Sequence, residues 1–173
     1  MFTRHLLIAP ALLCAAVAAS GQTAPATAHA DFMNAKGEKV GTAVLTQVPG
    51  GVRIVATLAQ LPPGAHALHI HTTGRCEGPD FMSAGVHFNP SMKQHGKDNP
   101  MGSHAGDLPN FDVDAQGRGQ ATVTVAGVTL ADGANSLFHT GGTALMVHAA
   151  ADDYKTDPTG NAGTRLACGV IQK

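Results

Sequence analysis

Residues 39–58, KVGTAVLTQVPGGVRIVATL, contain two apolar runs and one turn between them. In Val52-Arg53-Ile54-Val55-Ala56-Thr57-Leu58 the larger apolar side chains largely recur at every second position. That period sends one set to a core and the other to solvent, as a half-buried strand requires. Lys39 to Gln47 reads as a strand too, and Val48-Pro49-Gly50-Gly51 supplies the turn chemistry between them. Upstream, Ala28 to Asn34 forms another strand, reached through a Lys36-Gly37 turn. Downstream, strand signals recur at about Ala67 to Thr72, Gly119 to Val125, Thr143 to His148 and Arg165 to Ile171. No heptad or sustained 3.6-residue period appears after the first two dozen residues. Short strands of this kind predict an all-β fold: an antiparallel sandwich or barrel.

From Gly74 to about Asn110 the alternation stops, and Gly, Pro, Ser, Asn and Asp dominate. A structureless loop this long is uncommon inside a compact domain unless it serves a function or is disordered. Metal ligands would supply the missing ordering energy, and histidine is the compositional outlier, with 10 in 173 residues. His69-Ile70-His71 lies in a strand-like stretch, so both imidazoles project from one face and can reach one ion. Taken alone, such a pair is equally compatible with no metal. His87, His95, His104 and His148, with Asp107 three residues after His104, shift the balance toward a metal centre.

The 11 Lys and Arg nearly balance the 12 Asp and Glu, which gives no polybasic surface for nucleic acid or anionic lipid. Arg4, an apolar stretch from Leu6 to about Ala19 and small residues beyond it read as a secretory signal peptide, 1–19, cleaved between 18 and 28. Leu13 before Cys14 is bulkier than a lipidation site prefers. Residues 20–28 are expected to be a mobile segment and 29–173 the folded domain. The mature chain then keeps Cys76 and Cys168, an even count that in an exported protein suggests one disulfide; two buried free thiols are the alternative.

Five motifs occur in order: His69-Ile70-His71, His87-Phe88-Asn89-Pro90, His104-Ala105-Gly106-Asp107-Leu108, Val147-His148-Ala149-Ala150-Ala151-Asp152-Asp153, and Gly160-Asn161-Ala162-Gly163-Thr164-Arg165-Leu166-Ala167-Cys168-Gly169-Val170. Through them the chain resembles the copper–zinc superoxide dismutases along nearly all of its mature length. The resemblance implies a Greek-key β-sandwich or barrel with long metal-binding loops, an architecture this family is known to share. It implies one copper ion held by His69, His71, His87 and His148, and one zinc ion held by His87, His95, His104 and Asp107. Three imidazoles and a carboxylate suit tetrahedral zinc, and four imidazoles suit copper. Asp152 matches a carboxylate linking His69 to His95, Cys76 and Cys168 match the family's disulfide, and His66 matches a structural histidine. No role is implied for His29 or His139.

The implied reaction is 2 O2•− + 2 H+ → O2 + H2O2, with superoxide as substrate. His87 would take a proton on its copper-side nitrogen, Arg165 would attract and orient the anion, and Thr159 would stand at the channel rim. The segment from Tyr154 to Thr159 is shorter than in many eukaryotic members and holds one cation, Lys155. Steering is therefore expected to fall mainly on Arg165, with Lys93 or Lys97 as helpers. The leader and the short loop favour a periplasmic location over extracellular release, with no membrane association after the leader's removal. A homodimer is favoured without its face being fixed. The rival reading is a non-catalytic periplasmic copper- and zinc-binding protein; a zinc hydrolase lacks its HExxH-type helix.

Overall fold

The computed structural model describes residues 26–173. Among the described residues nine strands form one antiparallel sheet: β1 (Thr27–Asn34), β2 (Lys39–Val48), β3 (Gly51–Leu58), β4 (Gly64–His66), β5 (Leu68–His71), β6 (Phe111–Val113), β7 (Gly119–Ala126), β8 (Ala144–His148) and β9 (Arg165–Val170). Their order across the sheet is β4-β6-β7-β3-β2-β1-β9-β8-β5. The two outer strands, β4 and β5, are consecutive in the chain and joined at Ala67. That residue donates its N–H to Ala150 O at 2.9 Å and accepts from His148 N at 3.0 Å. The sheet thus curls into a nearly closed barrel with Greek-key crossings, which leaves few unpaired edges. No helix among the described residues is long and apolar enough to cross a membrane.

The hairpin read from residues 39–58 forms with Val48 opposite Gly51 and Val44 opposite Val55. Gly50 takes φ +81° behind Pro49, the left-handed value such a turn needs. Val52, Ile54, Ala56 and Leu58 point inward and are fully buried. On β2 the buried set is Val40, Ala43 and Leu45, which breaks strict alternation. The register with β1 slips there, Phe32 facing Gly41 and Met33 facing Lys39, so a bulge turns Val40 back into the core.

Two strands were not legible. β4 and β6 are three residues each, and Pro62-Pro63 and Asp112 mask them as loop. They pair Gly64 with Val113 and His66 with Phe111. The strand expected at about Ala67 to Thr72 is β5, Leu68–His71, and β4 precedes it, ending at His66. β1 starts at Thr27, one residue before the strand expected from Ala28, and Thr27 and Ala28 are paired with Thr46 and Leu45. The expected leader, 1–19, and residues 20–25 lie outside the described residues.

The barrel has two unequal cores. Inside it, Leu68, Ile70, Leu145 and Val147 join the residues of β1 to β3. Outside the wall, Ala144, Met146 and Cys168 pack against Phe81 and Ala84 of the long loop. β5 and β8 are consequently buried on both faces, and their outward residues are covered by residues 74–110 rather than by solvent. Cys76 and Cys168 form a disulfide that fastens this loop to β9. Closing a loop between residues 92 apart is worth about 4–5 kcal/mol by loop entropy. Replacing both cysteines by alanine should lower unfolding stability by about 2–5 kcal/mol, seen as a lower denaturant midpoint with a steeper slope, since the uncrosslinked unfolded chain exposes more surface; a midpoint within error of the parent would contradict this.

Candidate metal centre

β5 is an outer strand, paired with β8 along one edge only. Its other edge would leave Ile70 N–H and C=O unpaired beneath a covering loop, which is costly. The loop meets that demand. Ile70 N donates to Gly106 O at 2.9 Å, Phe88 N donates to Ile70 O at 2.8 Å, and Gly106 N donates to Phe88 O at 2.8 Å. Gly106 has to be glycine, because a Cβ there would lie 2.3 Å from Ile70 O. His87 sits beside Phe88 and Asp107 beside Gly106, so docking the backbone carries both side chains to the outer face of β5. His69 and His71 already project from that face, and His148 at the end of β8 joins them.

Each ring has one nitrogen tied back and one left over. His71 Nδ1 donates to Gly85 O at 2.9 Å, and His148 Nδ1 to Gly163 O at 3.2 Å. His69 Nε2 donates to Asp152 Oδ2 at 2.8 Å. These acceptors fix the tautomers and leave lone pairs on His69 Nδ1, His71 Nε2 and His148 Nε2. Those three atoms and His87 Nε2 are buried without a hydrogen-bond partner among the described residues. Four orphaned nitrogens would be expensive in a dry pocket, yet they converge to within 4.8 Å of one another. A cation accepting four nitrogen lone pairs fits them, as copper does.

The other side of His87 faces a second group. Asp107 Oδ1 lies 2.9 Å from His87 Nδ1, 3.0 Å from His95 Nδ1 and 3.2 Å from His104 Nδ1, and His104 Nδ1 is 3.4 Å from His87 Nδ1. Four ligands about 2.0 Å from a tetrahedral zinc stand about 3.3 Å apart, so the donor set fits that ion. Asp107 Oδ2 is held by the N–H groups of Gly96 at 2.9 Å and His104 at 3.0 Å. His87 alone offers a nitrogen to each group.

Asp152 spans the two clusters, with Oδ2 on His69 and Oδ1 on His95 Nε2 at 3.0 Å. Residues that the sequence reading did not single out hold it there. Asn110 donates from Nδ2 to Asp152 O at 3.0 Å and accepts Asp152 N–H on Oδ1 at 2.8 Å. Gly160 (φ +62°) packs so closely that a Cβ would be 2.0 Å from Asp152 Oδ1 and 2.6 Å from His95 Nε2. The signal for Gly160 was its place in a glycine-rich motif; Asn110 carried none. His66 is committed elsewhere, its ring nitrogens 2.7 Å from His148 O and 2.8 Å from Pro62 O. His139 stacks on Phe88 at 5.4 Å, and His29 is exposed.

Arg165, at the start of β9, donates to Phe81 O at 2.6 Å and Gly85 O at 2.7 Å. These carbonyls bracket the single 3-10 turn of the long loop, Met82–Ala84. Phe81 holds φ +56° with its ring buried in the outer core, a conformation that costs about 1–3 kcal/mol and needs such packing to persist. Thr159, His71, His87 and His148 line an opening of about 220 Å³. Lys97 is 3.2 Å from Asp98 and lies over the Tyr154 ring, so its charge is partly spent locally. Lys93 lines a separate cleft beside His104.

Burial is the main reason the ligand imidazoles resist protonation: His71 is lowered to about 2, His148 to about 3 and His87 to about 4, each aided by neighbouring histidines. Burial disfavours ionised Asp107 as well, but hydrogen bonds from His104, His87 and Gly96 outweigh it and hold it well below the carboxylate range. At His104 the Asp107 carboxylate in turn outweighs burial and raises the pKa. The lone pairs of His71, His87 and His148 are therefore free to take a cation at neutral pH, whereas His104 holds a proton more readily until a cation displaces it.

Residues 39–171 match the family model described as copper/zinc superoxide dismutase. The chain is 50% identical over 162 residues to superoxide dismutase [Cu-Zn] 1 of Aquifex aeolicus, covering 92% of this chain and 96% of that one. It is 42% identical over 139 residues to superoxide dismutase [Cu-Zn] of Caulobacter vibrioides, covering 79% and 80%. A solved double mutant of a SOD-like protein from Bacillus subtilis, in which a tyrosine and a proline became histidines, superposes with TM-score 0.81. Its identity is 40%, over 84% of this chain and 97% of that one.

Two outcomes are expected. Gly160→Ala should displace Asp152 and weaken metal retention about 10- to 100-fold, measured by competition with a chelator; unchanged retention would remove Asp152 from the support of the site. Unfolded histidines bind protons near pH 6.5 while these folded ones do not until about pH 4 or below. The unfolded state therefore takes up more protons as pH falls, and the metal-free chain should lose Tm steadily from pH 6.5 to 4. A flat profile would contradict that linkage.

Proposed function

The chain belongs to the copper/zinc superoxide dismutase family, and on that premise we propose how its residues divide the work of 2 O2•− + 2 H+ → O2 + H2O2. The enzyme is an oxidoreductase with copper and zinc as cofactors. His69 Nδ1, His71 Nε2, His87 Nε2 and His148 Nε2 are the copper donors, and His87, His95 and His104 through Nδ1, with Asp107 Oδ1, the zinc donors. Bound copper supplies a one-electron couple between Cu(II) and Cu(I), and bound zinc a fixed positive charge. The observation that carries the assignment is the convergence of four orphaned, buried nitrogens on one point.

Arg165 attracts the anion. Its guanidinium is held in a fixed orientation by two neutral carbonyls, so its charge remains available to a ligand. Its field is felt at His71 and His148, where it further disfavours protonation. His87 Nε2 holds the proton in one half of the cycle and releases it in the other; the ring can do so because Nδ1 faces a different group. Asp152 keeps His69 and His95 in the required tautomers. Thr159 narrows the rim of the opening.

Export to the periplasm is part of the proposal. The leader pattern in residues 1–19 supports it, and a structural disulfide suits an oxidising compartment.

The purified chain should hold about one copper and one zinc, and copper removal should abolish dismutation, with copper restoring it. Arg165→Gln, with metals retained, should slow the reaction about tenfold at low salt and flatten its ionic-strength dependence. Full metal loading without dismutation would leave a metal-binding protein and overturn the catalytic assignment.

A further inference from the structure

Arg165 borders a second opening, of about 410 Å³, lined by Pro79, Asp80, Met82, Gly163, Thr164 and Arg165 itself. Asp80 is the one carboxylate on that lining among the described residues. It is exposed, and its Oδ1 accepts the N–H of Met82 at 3.1 Å. That bond seats the carboxylate on the same short turn whose flanking carbonyls, Phe81 O and Gly85 O, orient the guanidinium. The carbonyls direct Arg165 without cancelling its charge. A carboxylate beside it does cancel part, and its field reaches the guanidinium, favouring the charged form against burial.

The copper ligands His71, His87 and His148 line a separate opening, so this carboxylate acts on the anionic substrate by weakening the attraction of Arg165. On the same loop Arg75 and Glu77 pair with each other and largely cancel, the segment from Tyr154 to Thr159 holds Lys155 alone as a cation, and Lys97 is turned toward Asp98 and Tyr154. We propose that Asp80 restrains substrate capture, its carboxylate at the Arg165 opening holding the rate of superoxide encounter below what the arginine alone would give. This rests on Arg165 being the anion guide. Asp80 is not a catalytic residue; it acts through the field at the rim. Its place there has a structural cause, since it caps the turn that carries Phe81 and Gly85 to the arginine.

The test uses metal-loaded protein and the second-order rate of superoxide decay, expressed per bound copper, from about 10 to 300 mM ionic strength. Asp80→Asn removes the charge and keeps an acceptor for Met82 N–H; Asp80→Ser is a second neutral variant should the first load copper poorly. Either should raise the low-salt rate about twofold to threefold, with the gain vanishing at high salt. Asp132→Asn makes the same change in net charge away from this opening and should stay near the parent. No gain in either neutral variant, or an equal gain in Asp132→Asn, overturns the role of Asp80. Arg165→Gln measured alongside separates the two failures: if it keeps the parent rate, the guide reading itself falls.

Discussion

The backbone of Ile70 is the constraint on which the site depends. β5 is an outer strand, and its exposed edge must find partners once a loop lies over it. Residues 86–88 and 106 supply them, and the choice fixes the register of the loop against the strand. Register then decides chemistry. The two-residue period of β5 presents His69 and His71 outward, while the docked residues deliver His87 and Asp107 to the same face. A shift by one residue would replace these side chains with Phe88 and Leu108, both of which sit in the main core. The apolar neighbours of each ligand thus act as its alignment key.

Asp152 is the second element of order, and it joins clusters that could otherwise drift apart. Its two oxygens hold one ring from each, and Asn110 clamps its backbone in both directions. The carboxylate is buried, which raises its pKa, but hydrogen bonds from His69 and His95 win and keep it ionised. Such carboxylates matter less for net stability than for tautomer and orientation. The lone pairs they leave on the far side of each ring are useful only because nothing among the described residues satisfies them.

Much of this was readable beforehand, for identifiable reasons. The hairpin at 39–58, the long irregular segment after Gly74 and the HxH strand follow from periodicity and turn residues, which are local properties. The grouping of seven side chains came through motif resemblance; spacing alone would not have joined His71 to His148. What stayed hidden depends on distant partners. β4 and β6 are too short for any period to show. Asn110 looks like any loop amide, and Phe81 like a stray apolar residue. Its left-handed backbone and its carbonyl on Arg165 exist only because the outer core traps its ring. The neighbours of Lys97, expected as a helper in steering, were equally hidden: Asp98 and the Tyr154 ring.

The barrel wall has a different character on each side. Its interior is closed by β1 to β3 and the inward faces of β5 and β8, and no ligand side chain takes part in that packing. The exterior face of β5 and β8 is where every imidazole of the copper group gathers. Chassis and instrument are therefore mounted back to back on the same two strands, sharing backbone but not side chains. A lineage can retune the instrument by altering loop residues such as Asp80, Asn110 or Gly160 while the chassis keeps its own requirements. Substitutions within the wall obey the opposite rule, for there every second residue answers to a different master.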